Sequence, residues 1–193
     1  MLTYVDQPEK SCLAAGGHDY MVCCVIGGEL SAVPLQWVGA ILAGRADGHH
    51  PPDISQAVNL LRQQVPMVIV STTGDPARLN GVGVPVVAGE WAGSAGMLLA
   101  ALEGTAKHAW ETPWVATAPA EGARVPPDLV ARLAAAVSGC AAEAACVAKG
   151  GSLVLELGLW PVRSRRGLRR ILAGGGEKSL AGWARGLALA IVS

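Results

Sequence analysis

Two glycines, Gly27 and Gly28, close the apolar run from Tyr20 to Ile26 (YMVCCVI). A glycine pair placed directly after a strand lets backbone N–H groups come close to a phosphate. A second candidate stands far downstream, where the apolar run from Trp114 to Ala118 (WVATA) is followed by Pro119, Ala120 and Glu121. A carboxylate at a strand end suits a hard cation such as Mg²⁺. Arginines at positions 163, 165, 166, 169 and 170 form a cluster whose planar forks match phosphate oxygens. In a chain with no net charge, a solvated helix face is the stronger reading of that cluster. His49 and His50 share a proline-rich loop, and His18 and His108 stand alone, so all four read as solvated side chains rather than metal ligands. Asp75 precedes Pro76 and reads as a turn or helix cap. The cysteines at 12, 23, 24, 140 and 146 contain no C-x-x-C pair and read as reduced structural thiols.

The chain that carries these residues has 193 residues, enough for one well-buried domain. Its 15 Lys and Arg balance 15 Asp and Glu, which removes any bulk attraction toward nucleic acid or an acidic membrane. The apolar mass is Ala, Val and Leu, with no Phe, and such small side chains suit helices packed closely on a parallel sheet. Asp6 and Glu9 precede the first basic residue, Lys10, so the start lacks the pattern of a secretory signal, and a cytoplasmic location is expected. Residues 20–44 are the nearest approach to a membrane span. Gly27, Gly28, Glu29, Pro34 and Gln36 interrupt them and place them in a folded core instead.

Strands and helices alternate along the chain. After a polar arm at residues 1–19, the expected strands are Tyr20–Ile26, Met67–Val70, Val82–Val87 and Trp114–Ala118. The expected helices are Ile54–Gln64, Ala95–Glu103 and Leu129–Val137, the last opening on Pro126, Pro127 and Asp128. Ser152–Leu157 reads as a further strand, antiparallel to the others, and Arg163–Leu172 as a helix. This order predicts a three-layer α/β/α domain over residues 20–193, with a mostly parallel, Rossmann-like sheet and ligands at the C-terminal ends of its strands.

In sequence order, VSTTGDPARL (70–79), GVPVV (83–87), GSAGMLLAAL (93–102) and TPWVATAPAEGARVPPDLVARLAAA (112–136) are similar to the molybdenum cofactor guanylyltransferases. The segment GLWPVRSRRGLRRIL (158–172) extends the similarity toward the C-terminus. The resemblance implies a nucleotidyltransferase fold in which Gly27, Gly28, Ser31, Thr73 and Gly93 contact a nucleotide. It also implies that Glu121, where the family has aspartate, faces Mg²⁺. GTP and molybdopterin are the implied ligands, and a molybdenum or tungsten enzyme is the implied partner.

The family's opening loop, L-A-G-G-x-S-x-R-M-G with a lysine soon after, is matched here to Ile26–Pro34. A second match, Ile41–Gly48, keeps Arg45 but lacks the lysine and most of the loop. On the first match no Lys or Arg occurs between Gly27 and Gly44, and Glu29 adds negative charge. A non-catalytic relative acting in molybdenum or tungsten cofactor maturation is therefore the favoured expectation. The alternative is an active guanylyltransferase that joins GMP from GTP to molybdopterin.

Overall fold

The computed structural model describes residues 23–24, 37–44, 54–108, 112–121, 124–174 and 179–193. Among the described residues eight strands form one sheet: β1 (Cys23–Cys24), β2 (Val38–Ala43), β3 (Met67–Thr72), β4 (Val86–Ala88), β5 (Trp114–Pro119), β6 (Ala144–Lys149), β7 (Ser152–Pro161) and β8 (Leu189–Val192). Their spatial order is β1-β8-β6-β7-β5-β2-β3-β4. Only β7 runs antiparallel to its neighbours, β5 and β6; every other pairing is parallel. The sheet is thus mostly parallel and the expected architecture holds.

Five helices cover the two faces: α1 (Ile54–Arg62), α2 (Gly93–Lys107), α3 (Leu129–Gly139), α4 (Arg165–Ala173) and α5 (Leu180–Ala184). In α1 the buried positions Ile54, Ala57, Val58 and Leu61 recur every three or four residues, the spacing of one helical face. That face joins Leu129 and Leu133 of α3 over Ile41, Val68 and Val70 of the sheet. On the other face Leu98 and Leu102 of α2, Leu168 and Leu172 of α4, and Trp183 of α5 pack over Val38, Ala40 and Ile69. Two apolar layers therefore sandwich β2 and β3, and strands buried on both sides read as continuous apolar runs.

The main correction to the sequence reading concerns the first strand. The run at residues 20–26 was expected to open the β-α repeat. Instead β1 lies at the far edge of the sheet, beside β8, and the strand between β3 and β5 is β2. Val38–Ala43 (VGAILA) carries the same apolar signature as the earlier run but has a glycine inside it, at Gly39, which blurs the strand pattern. Residues 82–85 also fall outside β4, which is shorter than expected. Besides β2, the strands β6 and β8 had no counterpart in the sequence reading. β7 is antiparallel as expected and longer, reaching Pro161. No described helix is long and apolar enough to cross a membrane.

Among the described residues, buried side-chain polar groups of this core are paired except Thr105 Oγ1 of α2. The fully buried Trp160 donates its indole N–H to Thr117 Oγ1 (3.0 Å), and that hydroxyl donates to the Gly158 carbonyl (3.3 Å), tying β7 to β5. Cys146 is buried in β6, and burial pushes its thiol up to about 12, which fits a structural thiol. Residues 1–19 and Cys12 lie outside the described residues.

α2 is drawn close to the turn that precedes it. A Cβ at Gly96 would meet the Trp91 carbonyl oxygen at 1.7 Å, an approach no other residue allows. A Cβ at Gly167 of α4 would meet nothing within 4 Å. Urea denaturation should therefore separate the two: Gly96→Ala loses about 2–3 kcal/mol through overpacking, whereas Gly167→Ala gains about 0.5–1 kcal/mol through reduced unfolded-state entropy.

Candidate functional site

Strand register brings the sequence candidates to one edge. Ala43 of β2 pairs with Thr72 of β3, Thr72 pairs with Ala88 of β4, and Leu42 pairs with Pro119 of β5. The chain leaves this row through Gly44, Thr73, Gly89 and, one residue beyond Ala120, Glu121. In open α/β sheets ligands bind outside these strand ends. Side chains earlier in the strands are buried between helices, so polar chemistry can appear only where the strands stop.

Each exit is fixed by local bonds. Gly89 N donates to the Thr72 carbonyl at 2.8 Å, which extends the β3–β4 ladder by one step. Thr72 Oγ1 accepts from Gly74 N (3.1 Å), and Asp75 Oδ1 accepts from Ala77 N (2.9 Å), so Asp75 caps the short 3-10 turn Pro76–Leu79, as its sequence context indicates. The hydroxyl of buried Ser71 donates to the Met97 carbonyl and pins α2 to β3. Thr73 is left half-buried at the end of this row.

Glu121 is exposed, and its carbonyl accepts from Arg124 N at 3.0 Å. The loop it opens is anchored by a residue that sequence reading passed over. Gln64, just past α1, donates to the Pro126 carbonyl (3.0 Å) and accepts from Val130 N (2.9 Å). Gln64 thereby caps α3, whose own N-cap residue Asp128 makes no side-chain cap bond. Among the described residues no cluster of three or more His, Cys, Asp or Glu side chains forms. A divalent cation at Glu121 would be completed by phosphate oxygens and water, the coordination Mg²⁺ favours, so a single carboxylate on an open edge fits such an ion.

Gly93 opens α2 with a φ of 80°, a left-handed conformation that favours glycine. Next to it, the Ser94 hydroxyl donates to Glu156 Oε1 at 2.8 Å. Glu156 sits where β7 bulges: its partner register in β6 shifts from Cys146↔Gly158 to Val147↔Val154, and pairing with β5 stops at Thr117↔Gly158. The bulge turns a second carboxylate toward the N-terminus of α2. A lone Glu in an apolar strand (SLVLEL) was the only sequence signal for it.

Thr73, Gly93 and Glu121 thus stand on the same rim, while Gly27, Gly28 and Ser31 lie outside the described residues, as do His18, His49 and His50. The residue that leaves the middle of the sheet is Gly44, within the second of the two loop matches. His108 caps the opposite end of α2 from Gly93. Arg163, in the short 3-10 turn before α4, and Arg166 and Arg170 on α4 are exposed, Arg165 donates to the Val162 carbonyl (3.0 Å), and Arg169 pairs with Glu103. This agrees with a largely solvated arginine face.

Residues 46–187 match the MobA-like NTP transferase domain. Over 122 residues the chain is 35% identical to a molybdenum cofactor guanylyltransferase of Rhodopseudomonas palustris, a match covering 62% of this chain and 58% of that protein. Over 153 residues it is 33% identical to one of Bradyrhizobium sp., covering 74% and 72%. The chain therefore spans less than two thirds of the first relative's length. Molybdopterin-guanine dinucleotide biosynthesis protein A of Archaeoglobus fulgidus shares the fold, with a TM-score of 0.60 at 13% identity over 80% of this chain and 82% of that one.

The backbone at Gly93 sets a test that is independent of any ligand. A Cβ there meets nothing within 4 Å, so only conformation limits substitution. Gly93→Asn should unfold thermally close to the unsubstituted protein, and Gly93→Val should cost about 2 kcal/mol.

Proposed function

The chain belongs to the MobA-like NTP transferase domain family, and on that premise we propose that it is a working nucleotidyltransferase which binds GTP with Mg²⁺ and transfers GMP to molybdopterin. A molybdopterin phosphate oxygen bonds to the α-phosphorus of GTP, the bond from the α-phosphorus to the oxygen that bridges to the β-phosphorus breaks, and pyrophosphate leaves with that oxygen. The observation that carries this reading is the position of β2. It lies between β3 and β5, and the next residues in the chain after its last are Gly44 and Arg45.

That placement removes the main argument for a non-catalytic protein. The expectation of lost activity rested on a loop at Gly27 and Gly28 without a nearby cation. With β2 in the middle of the sheet, the loop that follows it in sequence opens with Gly44 and holds an arginine. Catalysis of phosphoryl transfer is mostly positioning and charge stabilisation, and one preorganised group is worth about 10²–10³ in rate. Arg45 supplies a charge of the right sign for a departing pyrophosphate. Glu121 would hold the Mg²⁺, which on binding would neutralise phosphate charge. Thr73 and the α2 N-terminus at Gly93 supply hydroxyl and amide donors along the same rim. A molybdenum or tungsten enzyme that receives the finished cofactor is the partner class this chemistry serves, and the cytoplasm is where GTP is at hand.

A second reading keeps some support from the sequence. The family lysine has no counterpart after Arg45, since residues 46–53 contain none, and Glu121 replaces aspartate. A protein that binds nucleotide without transferring it is what those departures favour.

An assay with GTP, Mg²⁺ and molybdopterin, run beside an authentic guanylyltransferase, separates the two. Turnover within about tenfold of that enzyme, a barrier gap of about 1.4 kcal/mol, is the expected result. Arg45→Ala and Glu121→Ala should each lower it by about 10²-fold. Nucleotide binding without turnover would establish the second reading instead, and the absence of both would overturn the assignment.

A further inference from the structure

The turn from Gly89 to Gly93 joins the end of β4 to α2, and Trp91 at its centre is held from outside by α4. Arg169 of α4 places its guanidinium carbon 5.2 Å from the centre of the Trp91 ring. The same guanidinium forks onto Glu103 of α2, with Nε to Oε1 at 2.6 Å and Nη2 to Oε2 at 2.7 Å. The Glu103 hydrogen bonds and charge, with the charge of Glu90 on the turn itself, raise the Arg169 pKa further. A groove of about 340 Å³ opens beside the ring, walled by Val86, Gly89, Glu103 and Arg169 among others. That space would let Trp91 swing away if nothing held it.

An isolated exposed ion pair contributes little, but a two-bond fork that also stacks on an indole fixes one geometry for both partners. Here the fork and the stack converge on a turn that is also held by Trp91 packing on the apolar layer, by the close approach of the Trp91 carbonyl to Gly96, and by two hydrogen bonds. These are Gly89 N on the Thr72 carbonyl (2.8 Å) and the Ser94 hydroxyl on Glu156 (2.8 Å). Glu90, Ala92 and Gly93 are exposed, so burial orders this segment through Trp91 alone.

The position of the turn gives this clamp a consequence. Neighbouring strands are about 4.8 Å apart, so the end of β4 lies about 10 Å from the end of β2. A nucleotide whose phosphates lie at the ends of β2 and β5 and which extends across β3 would carry its base to this turn. We infer that Arg169 and Glu103 are positioning residues which, through Trp91, hold the Gly89–Gly93 turn in the conformation that selects the nucleotide base. The inference rests on the nucleotidyltransferase reading. Neither residue touches the reacting atoms, so the clamp acts on nucleotide recognition and leaves the chemical step alone.

Equilibrium binding of GTP and of ATP, each with Mg²⁺, tests this on the full chain and on Arg169→Ala, Trp91→Ala and Trp91→Phe. Arg169→Ala and Trp91→Ala should each weaken GTP binding by about tenfold, a typical coupling strength between sites. The preference for GTP over ATP should shrink by a similar factor, while Trp91→Phe retains most of it. Turnover at saturating GTP should stay within about twofold, because the interaction removed is not one made only in the transition state. Unchanged GTP affinity and base preference in both alanine variants would overturn the clamp. So would equal losses for GTP and ATP together with a large drop in melting temperature, which would mark a general structural role. Failure of the unsubstituted protein to bind either nucleotide would overturn the nucleotidyltransferase reading, and the clamp with it.

Discussion

All six residues of β2 are buried, and the strand is paired on both edges and packed by helices on both faces. Nothing polar can project from such a strand without a partner, because an unpaired buried polar group costs about 1–3 kcal/mol. The same holds for β3 and β5, whose few buried hydroxyls are committed to carbonyls, a backbone N–H and an indole. Function is thereby forced to the ends of the strands. The parallel arrangement places the ends of β2, β3, β4 and β5 on one rim, so residues far apart in sequence become neighbours. The single antiparallel strand, β7, adds to that rim from the opposite direction by bulging where it leaves β5.

The helices then fix the exits. α2 is attached to β3 through Ser71 and Met97, to β7 through Ser94 and Glu156, and to its own entry turn through the close approach at Gly96. On the other face Gln64 joins the end of α1 to the start of α3 and so anchors the loop that begins at Glu121. These are polar contacts at the margins of an apolar core. They add modestly to stability, at about 1 kcal/mol each, but they decide where the donors and carboxylates of the rim stand.

Much of this was legible in the sequence because period and composition report burial directly. The runs Met67–Val70 and Trp114–Ala118 appear as strands that reach on to Thr72 and Pro119, α1 repeats at three and four, and Asp75 before Pro76 signals its cap. The first strand was not legible in this way, for a physical reason. YMVCCVI followed by two glycines and VGAILA followed by Gly44 and Arg45 have the same local signature, and only pairing with β3 and β5 distinguishes them. Pairing is a long-range property that no window of residues contains. The same limit hid β6 (AACVAK), half of it alanine, and β8 (LAIV), only four residues long, and Glu156, whose role depends on a bulge and on a serine 62 positions away. The functional expectation followed the strand. Once β2 took the middle of the sheet, Arg45 came into the loop sequence and the case for lost catalysis weakened.

The central claim is that a nucleoside triphosphate lies across the rim formed by the ends of β2, β3 and β5. A crystal structure of the full chain with Mg²⁺ and a non-hydrolysable GTP analogue addresses it most directly. The account places the metal on the Glu121 carboxylate, the phosphates over Gly44, and the base toward Thr73 and the Gly89–Gly93 turn. Electron density for the analogue at the β1–β8 edge of the sheet, or for a metal held by residues other than Glu121, would contradict it.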